Sequence, residues 1–399
     1  MAAISGRVWA RPGPKWLDGN AVSLLETGEA YFPALEAAID EASREILLQT
    51  YIFAPDPTGR RIADALKRAA ARGVAVRVLV DGFGGRTFVG GLQAELVAAG
   101  VEVLVFRPEL RLFSMGRRRL RRMHRKMAVI DGRLAFVGGI NIVNDFAVQA
   151  PAHPRYDYAV RIEGALLAPI VASSWRLWRL VSWVALRRPV RAPRKAAAVA
   201  LPVGDMRAAF LVRDNLRHRN DIENAYLAAI AAAQEEIILA NAYFFPGRRF
   251  RHALLDAAAR GVRVTLLLQG LADHPLMQYA TRALYPFFLE HGIRIFEYRW
   301  SLLHAKVAVI DGHWATVGSS NIDPFSLLTA REANVAVDDP GFAATLEASL
   351  RAAMREGAVE LRREDWAKLP RLRRVACWVA YQTVRLATGV AGYKGYARP

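Results

Sequence analysis

HRKMAVIDGRLAFVGGIN (residues 124–141) and HAKVAVIDGHWATVGSSN (residues 304–321) are the same phrase written twice in one chain of 399 residues. Both reduce to His-x-Lys-x4-Asp-x6-Gly-Gly/Ser-x-Asn, which picks out His124, Lys126, Asp131, Gly138, Gly139 and Asn141, then His304, Lys306, Asp311, Gly318, Ser319 and Asn321. In each copy an apolar run follows the lysine, as in a buried strand. Residues two apart on a strand project to one face, so each His and its Lys emerge side by side.

Working outward, the surroundings repeat as well. AIDEASREILLQTYIF (38–53) and ALKRAAARGVAVRVLVDG (65–82) precede the first copy, and AIAAAQEEIILANAYFF (229–245) and ALLDAAARGVRVTLLLQG (253–270) precede the second. LVAAGVEVLVF (96–106) and FLEHGIRIFEY (288–298) add a further helix end and strand to each. Helices with apolar spacing of three and four alternate with short Ile/Leu/Val runs, which predicts α/β lobes with buried strands. Two similar lobes imply a pseudo-twofold pair. We divide the chain into a first lobe (1–187), a Pro/Arg/Ala-rich linker (188–203), a second lobe (204–350) and a basic C-terminal tail (351–399).

Composition narrows the partner. The net charge is +18 with 23% charged residues, so the expected partner is polyanionic: nucleic acid or an anionic membrane surface. Cys377 is the single cysteine, which excludes an internal disulfide and a cysteine-rich metal site. No run of 18 or more uninterrupted apolar residues predicts a membrane span, and MAAISGRVWARPGPKW lacks a signal-peptide core. A soluble or peripheral protein on the cytoplasmic side is expected.

The chain uses 48 arginines and seven lysines, yet two of those lysines fill the motif position beside a histidine. A compact ammonium is therefore required there rather than a planar fork. Two imidazoles facing one phosphate suit a two-step displacement, one attacking phosphorus and the other protonating the leaving alkoxide. Lys126, Lys306, Asn141 and Asn321, with Ser319, are candidates to hold non-bridging oxygens. Asp131, Asp311 and the glycines Gly138, Gly139 and Gly318 read as structural. His153, His218, His252, His274, His291 and His313 have no motif around them.

The paired motif resembles the phospholipase D superfamily. YIFAPDPTG (51–59), AYFFPG (242–247), LADHP (271–275) and GSSNIDPFSLL (318–328) make the chain similar to bacterial cardiolipin synthases over residues 20–345, departing at Met123 and Ala330. The resemblance implies an α/β phospholipase D fold of two pseudo-twofold-related α/β/α lobes, with the active site at their interface. It also implies a phosphohistidine intermediate and no metal or other cofactor, with His124 as nucleophile and His304 as acid. It places an orienting carboxylate at Glu332, with Asp157 its counterpart in the first copy. Phosphatidylglycerol is the implied substrate, its phosphatidyl group passing to a second lipid alcohol at the cytoplasmic face of the membrane. A lipid hydrolase and a nuclease of the same superfamily remain as alternatives, though nucleic acid is not the expected partner. Acceptor and oligomeric state are open.

Two segments bear on membrane contact. The arginine-rich loop 111–125 runs up to the first motif. Apolar residues Leu177, Leu180, Val181 and Val184 with Trp175, Trp178 and Trp183 form a helical stripe expected to close the first lobe. The tail 369–393 sets Arg371, Arg373, Arg374 and Arg385 around Trp378 and Tyr381, as in a helix on a membrane surface or one packed on the body.

Overall fold

A computed structural model of the chain describes residues 13–108, 122–146, 153–186, 202–214, 217–271, 273–324, 326 and 330–390. The first lobe contributes β1 (Trp16–Glu26), β2 (Glu45–Thr50), β3 (Ala75–Asp81), β4 (Glu102–Phe106), β5 (Lys126–Ile130), β6 (Leu134–Gly138) and β7 (Tyr158–Gly164). The second contributes β8 (Met206–Arg213), β9 (Glu236–Asn241), β10 (Arg263–Gln269), β11 (Arg294–Tyr298), β12 (Lys306–Ile310), β13 (Trp314–Gly318), β14 (Glu332–Asp338) and β15 (Ala358–Leu361).

All of them join one 15-stranded sheet that reads β4-β3-β2-β5-β6-β7-β1 and then β8-β14-β13-β12-β9-β10-β11-β15. Apart from β15 the order is a palindrome about the antiparallel β1–β8 pair, where the pseudo-twofold axis runs. The repeat is therefore fused through its outermost strands. Neither β1 nor β8 lies in the quoted repeats, and their pairing is a finding of the structure.

Side chains alternate between two cores, as the strand period of two requires. In β2, Ile46 and Leu48 face the outer helices Thr27–Glu41 and Pro57–Ala71, while Leu47 faces inward. In β5, Ala128 and Ile130 point outward, and Met127 and Val129 inward. The inward set of both lobes forms one shared core, across which β6 and β7 touch β13 and β14. Folding the lobes face to face brings the two motif strands to one place.

The helix Leu167–Val184 closes that core with Trp175, Leu177, Trp178 and Val181, while Leu180, Trp183 and Val184 stay exposed. The boundary expected after residue 350 falls inside the helix Pro340–Gly357, which buries Leu346, Leu350, Ala353 and Met354. β15 then pairs with β11, so the second lobe runs on past that boundary. The helix Arg371–Val390 packs against the helix Pro275–Arg282, burying Cys377, Ala380 and Val384. Most of loop 111–125 and nearly all of linker 188–203 lie outside the described residues.

Candidate active site

Each motif histidine stands two residues ahead of its strand, and each motif lysine is that strand's first residue. The peptide before each histidine is clamped twice. Asp81, at the end of β3, accepts the Met123 N–H at 2.8 Å as well as those of Phe83 and Gly84. Gln269, at the matching end of β10, accepts the Leu303 N–H at 3.2 Å. Across the lobes, His124 N–H donates to the Arg331 carbonyl at 2.9 Å and His304 N–H to the Tyr156 carbonyl at 2.8 Å. Neither clamp was singled out in the sequence, although aligning RVLVDG with TLLLQG exposes Asp81 and Gln269 as equivalents. Met123 is fully buried in the shared core, which accounts for an apolar residue there.

The cross-lobe bonds set the next residues in register with the opposite histidine. Glu332 of the second copy serves His124, its two carboxylate oxygens lying 3.0 and 3.1 Å from Nδ1. Asp157 of the first copy serves His304, with Oδ2 2.6 Å from Nδ1. Both acids are buried, at 1% and 2% exposure, so each removes solvent competition for its imidazole. A carboxylate accepts from Nδ1–H and leaves Nε2 with a lone pair toward the substrate. Thr27 supports this crossing with a left-handed φ of 56°, from which its N–H reaches the Asp157 carbonyl at 2.8 Å. A β-branched residue in that region is strained, and the strain sits against a functional group.

The lysines are the costly element. Lys306 is wholly buried and Lys126 nearly so. Burial, the dominant cause, lowers Lys126 to about 7 and Lys306 to about 8; the charge of Lys306 adds to it at Lys126 and that of Arg155 at Lys306, while Glu332 and Asp157 oppose at both. Burial also lowers His124, with Lys126 and Lys306 reinforcing and Glu332 opposing. His304 falls well below its ordinary value through burial, then Lys306, Arg155 and Lys126. Each lysine thus acts on the opposite lobe's histidine, so the four groups share one field. That field is short of negative charge, which a phosphodiester anion would supply.

The remaining predicted residues divide. Asn141 is buried, and its side-chain oxygen accepts the Ile52 N–H at 3.2 Å, which leaves its amide hydrogens to donate. Asn321 is buried with its side-chain oxygen unpartnered among the described residues. The Ser319 hydroxyl, a candidate for a phosphate oxygen, here donates to Glu332 at 2.6 Å and accepts the Ala333 N–H at 3.1 Å, so it braces the acid. At the equivalent Gly139, a Cβ would lie 2.3 Å from Asp157 Oδ1; the carboxylate occupies that space. Gly138 and Gly318 lie equally close to β7 and β14. Asp131 and Asp311 sit at the far ends of β5 and β12, both at positive φ, and each accepts three backbone N–H groups. Those bonds hold both carboxyls below the usual range despite partial burial.

A family profile described as "Cardiolipin synthase, PLD-like domain" matches residues 35–149 and 226–354. The chain belongs to this family. It is 44% identical to cardiolipin synthase B of Shigella flexneri, over 89% of this chain and 85% of that one. Cardiolipin synthase B of Escherichia coli (strain K12) is 43% identical over the same shares. A probable cardiolipin synthase of Bacillus subtilis is 31% identical over 84% of this chain and 66% of its own. Among solved structures, phosphatidylserine synthase of Haemophilus influenzae superposes with a TM-score of 0.70 at 15% identity, covering 92% of this chain and 94% of that one. That likeness shows the fold. As a cardiolipin synthase family member, the chain is a phosphodiester transferase of the phospholipase D superfamily.

Proposed function

We propose that the chain moves a phosphatidyl group from phosphatidylglycerol to the hydroxyl of a second lipid, through a phosphohistidine on His124. The observation that carries this reading is the crossed quartet of His124–Glu332 and His304–Asp157 around two buried lysines. Nε2 of His124 attacks phosphorus as the P–O bond to the departing glycerol breaks, and His304 gives its Nε2 proton to that oxygen. The second lipid's hydroxyl then loses its proton to His304 and attacks phosphorus, and the P–N bond breaks. One diester is exchanged for another, so no nucleotide is consumed.

The two halves fit these roles differently. A phosphorylated imidazole is cationic, and at His124 both oxygens of a braced Glu332 offset that charge. At His304 the Lys306 Nζ lies 2.7 Å from Nδ1, which disfavours a cationic adduct. The same repulsion makes His304 a strong proton donor once the anionic diester has charged it. Lys126, Lys306, Asn141 and Asn321 would hold the non-bridging oxygens as charge grows. Among the described residues no helix is long and apolar enough to cross a membrane. We place the enzyme as a peripheral protein on the cytoplasmic face, drawing phosphatidylglycerol from the bilayer.

Product analysis tests the reading. Purified protein incubated with phosphatidylglycerol vesicles should yield cardiolipin and free glycerol. Phosphatidic acid as the sole product would make it a hydrolase, and phospholipid left intact beside cleaved DNA would make it a nuclease.

A further inference from the structure

The helix Arg371–Val390 is amphipathic twice over. At 100° per residue, Cys377, Ala380, Val384 and Thr388 fall on one face, all buried against the second lobe. A second apolar stripe, on nearly the opposite side at roughly 150°, carries Leu372 (84% exposed), Val375 (56%), Val379 (49%) and Leu386 (67%). Thr383 lies within that stripe with its hydroxyl given to the Val379 carbonyl at 2.8 Å, so it adds little polarity. Trp378, 60% exposed, stands on the flank in line with Arg371, Arg374 and Arg385. The first turn holds no acid and three arginines, Arg371, Arg373 and Arg374, at the end where the helix dipole is already positive. Folding alone gives no reason for that arrangement; an anionic surface does.

The helix also lies at the active-site end of the second lobe. Tyr381 packs on Phe245 with ring centroids 5.3 Å apart, and Phe245 N–H donates to the carbonyl of Ile322, the residue after Asn321. The supporting helix Pro275–Arg282 starts beyond the end of β10, beside the Tyr243–Asp273 hydrogen bond. The helix that carries the exposed stripe therefore packs on the end of the second lobe where Asn321 lies.

We infer that the helix Arg371–Val390 is a bilayer-docking element: its Leu372–Val375–Val379–Leu386 stripe enters the acyl boundary of an anionic membrane while its arginines meet the headgroups. The enzyme would then sit with its site mouth toward the lipid it consumes. The inference rests on the lipid reading above and adds the surface through which lipid is reached. Charge complementarity favours a bilayer over a second copy of a chain that carries +18.

The test uses the full chain and its double variant Val375→Glu/Val379→Glu in flotation with phosphatidylcholine vesicles, with and without phosphatidylglycerol. The wild type should float only with the anionic vesicles. The variant should lose roughly tenfold or more in partitioning, with a matching loss of turnover on vesicles and unchanged turnover on detergent-dispersed phosphatidylglycerol. Leu372→Glu, at the exposed first turn, replaces the pair if the pair does not fold. Equal partitioning of variant and wild type would overturn the inference. So would a wild-type dimer that the variant converts to monomer without loss of vesicle binding, which would make the stripe a subunit contact. If wild type binds anionic vesicles through this helix yet turns over no phosphatidylglycerol in detergent, the helix stands and the substrate reading fails.

Discussion

The two half-sites occupy equivalent places in the repeat but are furnished differently. Around His124 stand both oxygens of Glu332, the Ser319 hydroxyl that braces it, and the edge of Tyr51 at 4.8 Å. Lys126 turns its Nζ to the His124 carbonyl at 2.6 Å, away from the ring nitrogens. Around His304 stand one oxygen of Asp157, Gly139 in place of the brace, and Ala242 at the position matching Tyr51. There Lys306 presses its Nζ against Nδ1. Burial and the lysines disfavour charge on both rings; both oxygens of Glu332 oppose this at His124, while Lys306 adds to it at His304. A duplicated motif has been specialised by one of its own positions, Gly139 against Ser319, and by the residues around it, with both His-x-Lys pairs kept.

The sharpest way to break that contrast is to delete each ring in turn. His124→Ala and His304→Ala should each lower turnover of phosphatidylglycerol by about 10⁴-fold. With a nitrophenyl phosphodiester, whose leaving group needs no proton, His304→Ala should recover the first step, releasing nitrophenolate and trapping the remaining esterified phosphoryl group on His124. His124→Ala should recover nothing. Trapping on His304 instead would reverse the two roles.

A smaller effect probes the brace. Ser319→Ala removes one hydrogen bond to a buried carboxylate, worth about 1.5–3 kcal/mol, and should slow turnover roughly tenfold with little change in KM. Gly139→Ser, which looks like importing the second copy's residue into the first, should cost about a hundredfold, because its Cβ would displace Asp157. If both variants lose the same amount, the halves are interchangeable and the contrast fails.

The smallest effect is in stability against pH. Lys126 and Lys306, ordinarily near 10.5, titrate at about 7 and about 8 in the folded free protein. Above those values the folded chain has released protons that the unfolded chain still binds, so stability rises with pH toward 10.5. Each fully linked proton contributes up to about 1.4 kcal/mol per pH unit. Thermal midpoints of Lys126→Met and Lys306→Met, measured from pH 6 to 9, should show a flatter rise than the wild type. A wild-type slope retained in both variants would place the effect elsewhere.

Much of the fold and site is legible in the residues alone. The paired phrase located both histidines, both lysines and both asparagines, and the surrounding helix–strand alternation gave the α/β class. Glu332 and Asp157 were reached through resemblance, because neither stands at a spacing that strand geometry dictates from its histidine. The Ser319–Glu332 bond is not legible in the sequence, because a serine in this motif looks the same there whether its hydroxyl faces substrate or a neighbouring acid. Asp81 and Gln269 went unnoticed because they end ordinary apolar strands.

The chain's order of residues by itself determined the two lobes, the chemistry of the site and the duplicated strand that carries it, since strand period and residue type are local properties. Tertiary structure alone decided that the lobes fuse through β1 and β8, that each acid serves the other lobe's histidine, and that the two lysines share one buried field. Those are contacts between residues more than a hundred positions apart. Their distances, and therefore their electrostatics, exist only once the sheet has folded across its axis.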